Sequence, residues 1–143
     1  MSITHDWVVA CQTALVDRLT NKISLIHILE QFQVAKFPAV LPPFQIVALW
    51  HNRVDMAVSA KLRIEVEDLA GDSASLLSEE EVVFAGRVSH RSICIVHAMT
   101  VLRPGAYRIV ARFQEQDSAL WQEGNSHPFS LTAAGNPPSA AQA

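Results

Sequence analysis

The sequence predicts an antiparallel β-sandwich of seven or eight strands, with a closed barrel as the alternative. Three observations carry this. Apolar and polar residues alternate with period two along several segments, and side chains alternate faces only along a strand. Turn signals recur at fairly even spacing, and almost no helical period is present. Charged residues make up only 17% of the 143 residues against 50% hydrophobic, so a single well-packed core is affordable and a disordered polyelectrolyte is excluded.

The strands follow in order. Trp7 to Val16 reads as the first, closed by a turn over Asp17 to Lys22 with Thr20-Asn21 near its apex. Ile23 to Val34 alternates again, with both faces partly apolar. Phe37-Pro38-Ala39-Val40-Leu41-Pro42-Pro43 is read as an extended connector, because proline has no ladder donor. Phe44 to Trp50 is a short apolar strand, joined through His51 to Asp55 to the next as a hairpin. That next strand, Met56 to Glu67, is the clearest. Met56, Val58, Ala60, Leu62, Ile64 and Val66 share one face, and Lys61, Arg63, Glu65 and Glu67 share the other.

Leu69 to Leu77 reads as a loop around Gly71-Asp72-Ser73. Ser78 to Gly86 has a capping-box spacing, but Val82, Val83 and Phe84 favour a strand from Glu80 to Ala85. Ser92 to Leu102 is apolar on both faces, which predicts cover on both sides and a hairpin, through Arg103-Pro104-Gly105, with Ala106 to Glu115. Trp121 to Thr132 is the last strand, with Pro128 as a point of breakage. The expected organisation is one domain over 1–132 and a Pro/Ala-rich tail over 133–143, disordered unless a partner holds it. Immunoglobulin-like topology is compatible with this pattern, although a Cys…Trp…Cys signature is missing.

Several function classes recede on composition. The net charge of −3 gives no basic surface for nucleic acid. No apolar run reaches the length of a membrane span, and no leader-like segment opens the chain, so the expected location is cytoplasmic. Cys11 and Cys94 are too few for a disulfide framework, and read as two small buried residues unless their strands adjoin.

The residues that carry chemistry do not form a motif. The six histidines, His5, His27, His51, His90, His97 and His127, show no paired spacing for a metal. Cys94 and His97 fall on opposite faces of a strand, and His27 meets His97 only if their strands adjoin. Ser89-His90 and Ser92 read as local coincidences, without a nucleophile elbow. Cys94 between two isoleucines reads as inert. A calcium site would draw on Asp68, Asp72 and Glu79, but charge on the wet face of a strand serves solvation and edge protection first. No catalytic, cofactor-binding or metal-ligating residue is therefore assigned.

One set of strings resembles a known group. Val8-Val9-Ala10-Cys11, then Lys22-Ile23-Ser24-Leu25-Ile26, then Phe37-Pro38-Ala39-Val40-Leu41-Pro42, and later Gly105-Ala106-Tyr107-Arg108-Ile109, resemble an uncharacterised bacterial domain-of-unknown-function family. The resemblance covers about Val8 to Leu131. His27 stands where that family tends to have Gly, and Gln12 where an acidic residue is common. The resemblance implies a β-sandwich-like domain of bacterial or phage origin, and brings no activity and no catalytic residue.

The functional expectation is a non-catalytic protein-binding or assembly module, with a protein partner or self-association and no cofactor, nucleic acid or membrane. Its working surface would lie near the Ser92–Leu102 strand. Two alternatives are kept. One is a small hydrolase using His51, His90 and His127 at one end of the sandwich. The other is a sugar- or peptide-binding module built on Trp121.

Overall fold

A computed structural model describes residues 1–71 and 73–134. Its architecture is all-β. β1 (Ile3–Val16), β2 (Ile23–Ile28), β5 (Phe44–Asn52) and β8 (Ser89–Val96) form one sheet in the order β2-β1-β5-β8, called sheet A here. β3 (Gln31–Val34), β6 (Val58–Asp68), β7 (Ser73–Phe84), β10 (Gly105–Glu115) and β11 (Gln122–Ala133) form sheet B in the order β3-β11-β10-β6-β7. β4 (Ala39–Leu41) and β9 (Met99–Val101) make a separate two-stranded ribbon. All pairings are antiparallel except that of β3 with β11.

The core lies between the two sheets. Val8, Ala10, Ile46, Ala48 and Trp50 of sheet A face Ala60, Leu62, Ile64, Ile109, Ala111 and Phe113 of sheet B, all buried. Trp50 is its centre: its ring meets Phe113 edge-on at 5.9 Å and His5 at 4.5 Å. Strands β6 and β10 bury the faces that their alternation predicts, Met56 excepted, which is exposed and precedes the strand.

Several pairings differ from the sequence reading. Ile23–Val34 is two strands, because the chain leaves sheet A at Leu29-Glu30 and enters sheet B as β3. β5 and β6 do not form a hairpin. They sit in different sheets, and the loop between them crosses the end of the sandwich around buried Asn52. That side chain donates to Met56 O at 2.8 Å and Gly86 O at 2.7 Å, and accepts from Val54 N at 3.1 Å. One amide thus pins both sheet-to-sheet connections at this end.

Ser92–Leu102 also divides, at His97-Ala98. β8 pairs with β5, β9 pairs with β4, and neither pairs with β10. The break reverses the facing of the chain. Met99 and Val101 are buried, whereas Ile93 and Ile95 of the same parity are 44% and 54% exposed. The expected cover on both sides is therefore absent over those two isoleucines. Leu69–Leu77 is not all loop, since β7 begins at Ser73 and pairs with β6 from Asp68 onward. Ala39–Leu41 forms β4 inside the Pro-rich connector. Ser78–Gly86 is strand, not helix, up to Phe84.

Pro128 does not break β11. It pairs with Arg108 where β3 has not yet joined the other side, a position at which a missing donor is tolerated. β11 runs on to Ala133, the first residue expected in the tail, and Ala134 N donates to Val34 O. The expectation for the rest of the tail, 135–143, lies outside the described residues.

The β1–β2 hairpin positions the candidate surface. Its turn is built as the sequence suggests: Asp17 N donates to Lys22 O, Asn21 N donates to Asp17 O, and Asn21 takes a left-handed φ of 56°. Its tip does not extend away from the sheet. Arg91 sits in mid-β8, opposite Leu49, which is opposite Trp7. Its guanidinium donates to Asn21 O at 3.0 Å, and Ala14 N donates to the Gln45 side chain at 2.8 Å. β1 therefore curls, and the hairpin folds back over the outer face of sheet A.

Candidate functional site

The two outer faces of the sandwich are unlike. On sheet B, cross-strand rows carry charges of both signs. Glu79, Arg63, Arg112 and Glu123 lie in one row across four strands. Arg112 reaches Glu65 at 3.3 Å and Glu67 at 2.6 Å, and Arg108 reaches Glu67 at 2.6 Å and Glu123 at 2.9 Å. Hydrogen bonding from Arg108 holds the Glu67 carboxyl below the usual carboxylate range. This face is self-neutralised and wet, the bland role that its charges suggest.

On sheet A, registers place Trp7, Val9, Cys11, Thr13 and Leu15 of β1 in line with Gln45, Val47 and Leu49 of β5, Ile93 and Ile95 of β8, and Ile26 and Ile28 of β2. Arg91 on this face is engaged by Asn21, and the charges of Asp6 and Arg53 gather with His51 at its far end. Val47 and Cys11 are fully buried although they point away from the core, whereas Ile93, Ile95, Ile28, Leu15 and Val16 remain exposed. Apolar surface of this kind marks interaction sites.

The residues singled out for chemistry do not converge. His51 Nδ1 lies 2.6 Å from an Asp6 carboxylate oxygen. His127 is buried and its Nε2 lies 2.6 Å from Leu29 O, tying β11 to the chain between β2 and β3. His90 Nε2 lies 3.0 Å from Glu80 Oε1, and Ser92 Oγ donates to that same oxygen while accepting from Trp50 Nε1 at 3.0 Å. This last cluster is the one grouping of serine, acid and imidazole seen among the described residues. Its order is wrong for a nucleophile, because the imidazole meets the carboxylate and not the hydroxyl. Ser92 is also buried. The arrangement clamps β7 to β8 at the seam between the two sheets, where these strands share no ladder.

Cys94 belongs to the same seam. Its thiol donates to Leu77 O at 3.9 Å, and burial pushes its pKa up. Cys11 is separated from it by β5, and both are free. His27 and His97 stand at opposite borders of sheet A. Asp68 accepts from Arg103 at 2.7 Å and from the amides of Ala70 and Gly71, and the Arg103 bond keeps its carboxyl low. Glu79 pairs with Arg63 five residues further along β6. Asp72 lies outside the described residues, and no group of three potential metal ligands gathers among the described ones. Trp121 is half-buried beneath the Arg63 guanidinium, 3.9 Å from its ring centre, so one face of the proposed sugar platform is already covered.

Clefts open among the described residues. One of about 150 Å³ lies between Ser73, Ser75 and Leu77 of β7 and Met99–Leu102. A larger one, about 600 Å³, is lined by Ser59, Lys61, Glu81, Val83, Gln114 and Ser118 among others. Its charges are already engaged: Lys61 faces Glu81 at 3.9 Å, and Glu115 accepts the Ser2 amide at 3.0 Å.

Sequence reasoning missed Glu80, Asn52 and Asn21. Glu80 was hidden in an acidic run, and no local signal marks an asparagine for burial or a turn residue for a contact seventy positions away.

Comparison places the chain in context. Residues 6–122 match the family described as "Family of unknown function (DUF6941)". No curated protein matches. Among solved structures, the β-D-glucoside glucohydrolase of Trichoderma reesei aligns over 91% of this chain and 19% of its own, with TM-score 0.54 and 7% identity. The β-glucosidase EmGH1 of Erythrobacter marinus aligns over 92% and 15%, with TM-score 0.52 and 11% identity. That of Listeria innocua, with glucose, aligns over 91% and 16%, with TM-score 0.51 and 10% identity. This chain thus spans less than a fifth of each of those proteins, and the likeness is one of fold alone. Among the described residues, no helix is long and apolar enough to cross a membrane.

Proposed function

We propose, for a chain that belongs to the family of unknown function DUF6941, that it is a non-catalytic protein-binding or assembly module acting in the bacterial cytoplasm. One observation carries the reading: charge is gathered and neutralised on sheet B, while sheet A turns an apolar outer face to the surroundings, with Ile93 and Ile95 about half exposed. Burial of such a face yields roughly 25 cal/mol per Å² of apolar area, which is the driving term of most protein association.

The immunoglobulin-like reading of the topology draws support from Tyr107. At the start of β10 its hydroxyl donates to Arg103 O at 2.7 Å, the bond pattern of a tyrosine corner.

The test is native mass spectrometry of the tagged chain recovered from its own cells, beside a variant carrying Ile93→Glu and Ile95→Glu. The expected result is a defined extra mass, a second copy or another protein, on the wild type and a bare chain for the variant. A bare chain in both cases would overturn the reading.

A further inference from the structure

Resting on that reading, we infer that the partner is an acidic stretch of a different protein, with apolar side chains between its carboxylates. The chain as a whole has a net charge of −3, yet the surroundings of Ile93 and Ile95 are cationic. Arg91 precedes Ile93 on the same face of β8, and its bond to Asn21 O brings the β1–β2 turn beside it. That turn carries Arg18 and Lys22, both exposed. Among the described residues, none of these three cations meets a carboxylate. On sheet B, by contrast, Arg63, Arg108 and Arg112 each meet a glutamate. The acids that border sheet A are engaged or turned away. Asp17, within the turn, accepts from the amides of Leu19 and Thr20. Asp6 lies against His51 and Arg53 at the far end, and Asp55 faces Arg87 at 3.3 Å. Glu30 has already crossed to sheet B, where its main-chain oxygen accepts from Ser130.

The charges decide between occupants. Opposite charges across an interface steer and select a partner, and like charges set against each other cost affinity. A second copy seated on the same patch about a two-fold axis would bring these cations to both sides of the contact. A flat anionic lipid surface is less suited, because the turn that would enter it carries the charge of Asp17 and is tied down on sheet A by Arg91. An acidic protein segment meets both halves of the patch. Its apolar side chains cover Ile93 and Ile95 with the exposed Leu15 and Val16 of the hairpin, and its carboxylates reach Arg18 and Lys22.

Selection of a random peptide library on the purified full chain tests this, because the composition of the binders is the readout. The wild type should enrich peptides that combine Asp or Glu with apolar residues, and their affinity should fall as salt is raised. A variant carrying Arg18→Glu and Lys22→Glu should bind those peptides about tenfold more weakly and, in its own selection, enrich Lys and Arg. The variant carrying Ile93→Glu and Ile95→Glu should bind none of them. If that variant does not fold, the charge reversal decides alone, because it touches exposed side chains only. No enrichment, binders without an acidic bias, or binders indifferent to the charge reversal would overturn the inference. So would a chain that binds vesicles of phosphatidylglycerol in place of peptides, or one that self-associates in light scattering through the same isoleucines. If binders lack the acidic bias but are lost with the isoleucines, the inference falls and the interaction-module reading stands.

Discussion

Arg91 in mid-β8 donates a hydrogen bond to the main-chain oxygen of Asn21, seventy positions earlier, over 3.0 Å. This contact ties the tip of the β1–β2 hairpin across the outer face of sheet A. Arg91→Ala should loosen the tip while leaving the core intact. Hydrogen exchange over residues 13–28 should rise several-fold, with about 1 kcal/mol or less lost in urea unfolding. Unchanged exchange in that segment would show that the tip is held by something else.

Asn52 should be among the costliest single positions. Its amide is the donor for Met56 O and Gly86 O and the acceptor for Val54 N, all at the buried crossover. Asn52→Ala leaves these groups without partners, and about 2–4 kcal/mol should be lost in equilibrium unfolding. Asn52→Asp should not rescue, because a carboxylate cannot donate to two carbonyls.

The β7–β8 seam depends on Glu80. Glu80→Ala removes the acceptor of Ser92 and the partner of His90. A loss of about 1–2 kcal/mol is expected, with faster exchange in β8. Glu80→Gln, which keeps an oxygen and the length, should lose less.

His5 makes stability depend on pH. It stacks on Trp50, and burial lowers its pKa to about 4 from 6.5. The unfolded chain binds a proton at this imidazole below about 6.5, whereas the folded chain does so only near 4. The unfolded state therefore holds more protons between these values, and stability should fall as pH drops from 6.5 to 4. After allowance for partial solvent exposure, the contribution is about 2 kcal/mol or less. The slope in that window should flatten in His5→Phe.

Gly124 faces the same imidazole. A Cβ there would lie 2.6 Å from His5 Nδ1 and 2.8 Å from its Cβ. The ring is packed against Trp50 and cannot swing freely, so Gly124→Ala should cost about 1–3 kcal/mol by overpacking, read in thermal melts.

The sandwich was legible wherever one face of a strand is buried and the other wet. Val58–Asp68 and Gly105–Glu115 alternate cleanly because sheet B has a charged outer side. Sheet A was harder to read, because its outer side is apolar too. Ser92–Leu102 looked like one doubly covered strand, and nothing in its composition marks the turn at His97-Ala98 that reverses its facing. Strand partners were misassigned at β5–β6 and at β8–β10 because short connections suggest hairpins. Here they pass between sheets, and the decisive group in the first case is a single buried amide. The candidate surface was placed near the Ser92–Leu102 strand, where Ile93 and Ile95 are exposed. The fold-back of the hairpin arises from strand order, which a linear pattern does not contain.

The central claim is that work is done on sheet A and not on sheet B. Hydrogen exchange of the assembled particle against the variant carrying Ile93→Glu and Ile95→Glu measures this directly. The account predicts new protection across residues 91–95 and no change over 58–68 and 105–115. Protection that falls instead on the charged face of sheet B would contradict it.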